Sequence, residues 1–196
     1  MSGFMLNDRE LEGKKRFQRA QAIRAREGLS PELRRTYSEI VCQKLQNHPA
    51  ILNASVVMSY MAFGAELDLA LFHDALRKRE TAVCFPVTFG SGYMDAYAPD
   101  GADAWVVDAY GIQSPNVECA QLIDPASIDI VVVPCVAFDM NGWRIGWGGG
   151  YYDRFLPRCT HAHSIGVGFD VQRTDLLVIN PDWDIKLDEI VTEHSR

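Results

Sequence analysis

Residues 129–155 read DIVVVPCVAFDMNGWRIGWGGGYYDRF. The first ten, bracketed by Asp129 and Asp139, form an apolar, β-branched run that predicts one strand buried on both faces. The next segment places five of the fifteen glycines between 142 and 150 and leads into a helix expected to start near Tyr151. A glycine-rich link between a buried strand and a helix lets backbone N–H groups approach an anion, and the helix N-terminus adds a favourable dipole. Arg144 offers a forked, permanently charged donor to phosphate oxygens. The segment is neither G-x-x-x-x-G-K-[ST] nor G-x-G-x-x-G, because Gly146, Gly148 and Gly150 are followed by Tyr151. It reads as a phosphate cradle of another kind, or as a sharp turn that glycine merely permits.

Outward from this segment, helical and strand patterns alternate. Residues 14–26 carry six basic side chains and no acid (Lys14, Lys15, Arg16, Arg19, Arg24 and Arg26). Ser30 and Pro31 then open a helix whose apolar positions are Leu33, Tyr37, Ile40, Val41 and Leu45. Strands are predicted over 55–61 and 81–87, with a helix over 67–79 between them that buries Leu67, Leu71, Phe72, Ala75 and Leu76. A turn at 90–92 leads to a strand over 93–98, and further strands fall at 164–169 and 189–193. Residues 99–125, rich in Pro, Asp, Gly and Asn, show no clear pattern. The alternation predicts an α/β fold, a layered α/β/α sheet in a single domain over 1–196.

Composition narrows the partners. With 19 basic and 26 acidic residues the net charge is −7, which argues against a nucleic-acid coat or membrane-surface binder. The longest apolar run, residues 130–138, is too short to span a bilayer and contains a proline. The amino terminus has no apolar stretch of signal-peptide length and carries Asp8, Glu10 and Glu12, unlike a mitochondrial presequence. The five scattered cysteines form no C-x-x-C pair and read as buried, reduced thiols in a cytoplasmic protein. His161 and His163 read as surface or loop residues.

The run Pro134-x-x-Ala137-Phe138-Asp139-x-x-Gly142-x-Arg144-Ile145-Gly146-x-Gly148-Gly149-Gly150-Tyr151-Tyr152-Asp153-Arg154 resembles the signature of the 5-formyltetrahydrofolate cyclo-ligase family. The similarity extends to Lys15-x-x-x-Arg19, to Tyr60 followed by Glu66 and Asp68, and to the W-D-x-x-L-D-x-x-V-T run from Trp183 to Thr192. One departure is Gly111-Ile112-Gln113-Ser114-Pro115, which has no carboxylate at Ser114 where the family commonly carries glutamate.

The resemblance implies a fold like that of phosphosugar isomerases and CoA-transferases. It also implies ATP- and Mg²⁺-dependent closure of 5-formyltetrahydrofolate to 5,10-methenyltetrahydrofolate through a phosphorylated formyl group, releasing ADP and phosphate. Such chemistry needs positioning and charge stabilisation more than a protein nucleophile. It assigns ATP to Lys15, Arg19, Arg144, Gly146, Trp147, Gly148, Gly149, Gly150, Tyr151 and Tyr152, with Arg144 catalytic. Folate contacts fall to Tyr60, Glu66, Tyr151 and Tyr152, and Mg²⁺ to Asp153 and Asp184. Lys15 and Arg19 share a helix face, where like charges repel until a polyanion lies between them. Arg144 could instead form an ion pair with Asp139 or Asp153. The partners implied are small molecules, and a monomer is compatible with this role. The alternatives are a non-catalytic folate- or nucleotide-binding protein and a phosphosugar isomerase-like enzyme.

Overall fold

The computed structural model describes residues 8–108 and 111–195. Residues 1–7, which carry part of the expectation about targeting, lie outside that range, as do Ala109 and Tyr110 of the 99–125 stretch. The helices are α1 (Asp8–Glu27), α2 (Pro31–Gln46), α3 (Pro49–Leu52), α4 (Ala70–Lys78) and α5 (Tyr151–Phe155). The strands are β1 (Val56–Met58), β2 (Ala82–Thr88), β3 (Met94–Ala98), β4 (Trp105–Val107), β5 (Gln113–Pro115), β6 (Gln121–Ile123) and β7 (Ile130–Pro134). After these come β8 (Ala137–Phe138), β9 (Arg144–Ile145), β10 (His163–Val167) and β11 (Glu189–Val191).

Seven strands form one sheet in the order β11-β10-β7-β1-β2-β3-β6, parallel from β11 to β2 and antiparallel at β3 and β6. Side chains alternate between its faces. Val57, Ile130, Val132, Ile165 and Val167 pack beneath α2 and α4 with Phe72, Leu76 and Leu45. Met58, Cys84, Val131 and Val133 pack on the other side with Phe155 and Leu156. That second layer is thin, formed by α5, the 3-10 turn Leu156–Arg158 and irregular chain. A third cluster holds α1 against the β8–β9 hairpin through Ala22, Ala137, Ile145 and Leu177.

Ser30 caps α2 by accepting from the Leu33 amide, with Pro31 in the first turn, as the sequence predicts; such a cap contributes about 1 kcal/mol. Elsewhere the pattern overreaches. Leu33 is 43% exposed, because burial on α2 begins only at Ser38. Leu71 is 51% exposed, because Phe72, His73 and Leu76 take the buried face and Leu71 lies roughly 100° around the helix. Cys119 is exposed, whereas the other four cysteines are buried as expected.

The predicted strand over 129–138 breaks in two. The chain leaves the sheet after Pro134, and the buried Gln172 amide donates at 2.8 Å to the carbonyls of both Cys135 and Val136. The break therefore leaves neither carbonyl unpaired, which is what makes it tolerable inside a core. β8 then pairs antiparallel with β9 across a turn built by Asp139, whose Oδ1 accepts from the amides of Asn141 and Trp143. Gly142 is required there: its φ is +94°, and a Cβ would lie 2.3 Å from the Leu187 carbonyl oxygen.

Candidate active site

The β8–β9 hairpin carries Arg144 on a strand, not in a loop, and releases the chain into the glycine segment at Gly146. The segment lies at the surface: Trp147, Gly148 and Gly149 are exposed. Its carbonyls are tied down by arginines. Arg19 Nε donates to the Gly146 carbonyl at 2.8 Å, and Arg154 Nη2 donates to that of Gly149. The amides of Trp147, Gly148, Gly149 and Gly150 donate to no acceptor among the described residues. Gly148, with φ +101°, is where glycine is needed, since a Cβ would sit 3.2 Å from the Arg19 guanidinium. The helix that follows is five residues long, so its dipole contributes less than the sequence reading supposed.

A cavity of about 220 Å³ opens beside this segment. It is lined by Lys15, Arg19, Arg144, Gly146, Trp147, Gly148, Gly149, Gly150, Tyr151, Tyr152, Asp153 and Asp184. Glu12, Pro86, Thr88, Met94, Pro134 and Ile145 complete the wall, and the sequence reading names none of these as site residues. Glu12 had a signal, lying three residues before Lys15 on the same helix face. Thr88 and Met94 face each other across the β2–β3 hairpin, a pairing visible only once register is known. At this volume the cavity is below the ~300–1,000 Å³ of drug-sized sites. It can take a phosphate tail and a reacting group; larger ligands extend past its rim.

Three cations and three carboxylates line it, in pairs. Lys15 Nζ contacts both Asp184 oxygens at 2.6 and 2.5 Å. Arg19 Nη1 lies 3.6 Å from Glu12, and Arg144 Nη1 lies 3.1 Å from Asp153. The repulsion expected between Lys15 and Arg19 is thus relieved in the free protein, each having its own carboxylate. Arg144 pairs with Asp153 and not with Asp139, which the hairpin turn occupies.

Arg144 is only 5% exposed, yet its Nε and Nη2 have no hydrogen-bond partner among the described residues. Those two atoms share one edge of the planar guanidinium, the fork that grips two oxygens of a carboxylate or phosphate. The Tyr152 hydroxyl is also buried without a partner, and the Arg144 guanidinium carbon lies 5.9 Å from that ring. Burial pushes the Tyr152 phenol well above its usual range, with further upward pressure from Glu66, so it stays protonated and can donate. Of five buried, unpartnered side-chain atoms among the described residues, three belong to this pair.

Glu66 and Tyr60 stand apart from the cavity wall. Glu66 accepts from the Trp147 indole at 2.9 Å and from the Phe63 amide at 3.0 Å, and lies 3.9 Å from buried Arg26. It therefore touches the glycine segment through Trp147, whose ring also lies 5.5 Å from the Arg26 guanidinium. Tyr60 is buried in the core beneath α2 and α4 and donates its hydroxyl to the Leu67 carbonyl at 2.7 Å. The structure does not bring it to the cavity. Ser114 sits on β5 opposite Val106.

Asp153 and Asp184, the carboxylates expected at magnesium, both line the cavity. Asp153 uses Oδ1 for Arg144 and the Ile185 amide, leaving Oδ2 without a hydrogen bond among the described residues. Asp184 is held by Lys15 and the Asn180 amide. This donor set fits a hard ion that arrives with phosphate oxygens and takes one or two carboxylates.

Residues 11–193 match the sequence model of the 5-formyltetrahydrofolate cyclo-ligase family. The chain is 28% identical over 171 residues to 5-formyltetrahydrofolate cyclo-ligase of Escherichia coli K12, covering 85% of this chain and 93% of that one. It is 24% identical over 193 residues to the Mus musculus enzyme of the same name, covering 92% and 94%. The structure is similar to that of Aquifex aeolicus 5,10-methenyltetrahydrofolate synthetase, with TM-score 0.80, 33% identity, and 92% and 90% of the two chains covered. A synthetase from Mycoplasma pneumoniae, 22% identical with TM-score 0.75, shares the fold. No helix among the described residues is long and apolar enough to cross a membrane.

Proposed function

This chain belongs to the 5-formyltetrahydrofolate cyclo-ligase family, and from that premise we propose that the glycine-edged cavity is where ATP meets 5-formyltetrahydrofolate. The reaction closes that substrate to 5,10-methenyltetrahydrofolate. The formyl oxygen is a poor leaving group; taking the γ-phosphoryl of ATP lets N10 attack the same carbon and phosphate depart, with ADP released. The observation that carries the reading is the unpaired Nε/Nη2 fork of Arg144 beside the unpaired Tyr152 hydroxyl. Three buried donor atoms left unmet, at a cost of about 1–3 kcal/mol each, are justified where charge arrives during reaction.

Each part of the wall has a task. The free amides of residues 147–150 and the cations Lys15 and Arg19 hold phosphate oxygens. Arg144 grips the transferring group and is kept in orientation by Asp153. Tyr151 and Tyr152 bound the reacting one-carbon centre, and Glu66 contacts the folate beside Trp147. Tyr60 supports the Glu66 segment from within by holding the Leu67 carbonyl. Asp153 and Asp184 would hold magnesium, which when bound offsets charge on the phosphates. In this reading one domain does all of this in the cytoplasm, where unpaired thiols stay reduced.

Purified protein mixed with Mg-ATP and 5-formyltetrahydrofolate should raise methenyl absorbance and ADP in equal amounts. Folate binding with neither product would leave a binding protein in place of an enzyme.

A further inference from the structure

We propose that His48, His163 and Glu189 form a second metal site, for Zn²⁺ or another cation of its borderline class, at the end of the sheet away from the cavity. His48 lies between α2 and α3, His163 opens β10, and Glu189 opens the edge strand β11. One ligand atom from each lies within 4.8 Å of the others. His48 Nε2 is 2.9 Å and His163 Nε2 is 3.6 Å from the same Glu189 oxygen. A tetrahedral zinc with bonds of about 2.0–2.1 Å sets its ligand atoms roughly 3.4 Å apart, so both spacings are within small side-chain adjustments of that geometry.

The two imidazoles converge on a single oxygen of Glu189, with rings stacked at 19° and centroids 6.1 Å apart. Protonated together they would repel; as neutral ligands of one ion they would not. His163 Nδ1 lies 3.8 Å from Asp188 Oδ2, just beyond hydrogen-bond reach, and Ser164 holds that carboxylate through its amide and hydroxyl, so a small ring rotation would complete the outer-shell contact that orients a ligating histidine. The side chains of His163 and Glu189 are each 39% exposed, which leaves the ion a path in and a position for water. Two imidazoles and one carboxylate select against Mg²⁺ and Ca²⁺, which require oxygen sets. The site is separate from the cavity. Val167 at the far end of β10 pairs with Pro134, which lines the cavity, while His163 pairs with Ile130 four residues away, about 13 Å along the strand. A bound ion would clamp the α2–α3 corner to both carboxy-terminal strands.

The test uses the full chain stripped by a chelator and titrated with Zn²⁺ by calorimetry, with Mg²⁺ as control and Co²⁺ as spectroscopic probe. One Zn²⁺ per chain, a raised melting temperature, and a visible Co²⁺ band of low-coordinate nitrogen–oxygen type are expected. His163→Ala and the near-isosteric Glu189→Gln should each weaken binding at least about tenfold. No saturable Zn²⁺ binding, or binding of equal strength in Glu189→Gln, overturns the proposal, and the metal-free melting temperature of that variant verifies that it folds.

Discussion

Two tyrosines that pack in different hydrophobic clusters bury their hydroxyls with opposite outcomes. Beneath α4, Tyr60 donates to the Leu67 carbonyl, and next to it Ser59 and His73 share a hydrogen bond of 2.7 Å. In the second cluster the Tyr152 hydroxyl has no hydrogen-bond partner among the described residues, and neither do two nitrogens of the neighbouring Arg144. Burial is similar; satisfaction is not. The first arrangement holds the fold together, whereas the second leaves buried donors unmet, as the proposed function requires of groups that meet a ligand.

The largest expected effect breaks the second region. Arg144→Ala should lower turnover by about 10²–10³-fold, or roughly 3–4 kcal/mol of transition-state stabilisation. Folate affinity in equilibrium binding should change little, and an equal loss in both would remove Arg144 from the reacting centre. Next in size is the acid response of the first region. Burial lowers the His73 imidazole to about 4, against 6.5 when unfolded. The unfolded chain then binds the extra proton between those values, so stability falls as pH drops through that window, by about 3 kcal/mol. Urea unfolding at pH 7 and pH 4.5 should show this loss in the parent and a smaller one in His73→Gln.

The direct comparison is a pair of hydroxyl deletions. Tyr60→Phe orphans a core carbonyl and should cost about 1–2 kcal/mol in urea unfolding, while Tyr152→Phe removes no protein hydrogen bond and should not lower stability. Equal losses would erase the distinction between the two regions. The mildest test is chemical. One thiol per native chain, Cys119, should react quickly with a disulfide reagent. Burial pushes the thiols of Cys42 and Cys159 up to about 11, and those of Cys84 and Cys135 to about 12, so these should wait for unfolding.

Local signals carried much of this organisation. The Ser30 cap, the central run 130–134 and the glycine segment were all readable from neighbouring residues, because caps, buried strands and turns are set by near neighbours. Non-local effects were not. The break after Pro134 depends on Gln172, and the two-residue strand at Arg144 exists only through pairing with Ala137–Phe138. Helical periodicity marked an apolar face but not how far the neighbouring layer reaches, hence the exposure of Leu33 and Leu71. The candidate cavity was legible as residue types, and Asp153 was one of two ion partners offered for Arg144, yet the pairing of Lys15 with Asp184 and of Arg19 with Glu12 was not. The histidines show the same limit: His161 and His163 lie two residues apart in sequence, but His163 meets His48 and Glu189 in space.

The seat of α1 has a consequence for biosynthesis. Lys15 meets a partner 169 residues later, Arg19 one 127 residues later, and Gln18 bonds to Leu176 and Val178. At a ribosomal pace of about 5–20 residues per second, the first helix must wait roughly 10–30 s for its seat to be translated. A nascent chain stalled short of residue 184 would therefore present the glycine segment without the Lys15–Asp184 clasp, and the proposed phosphate-binding wall assembles only after that aspartate has been added.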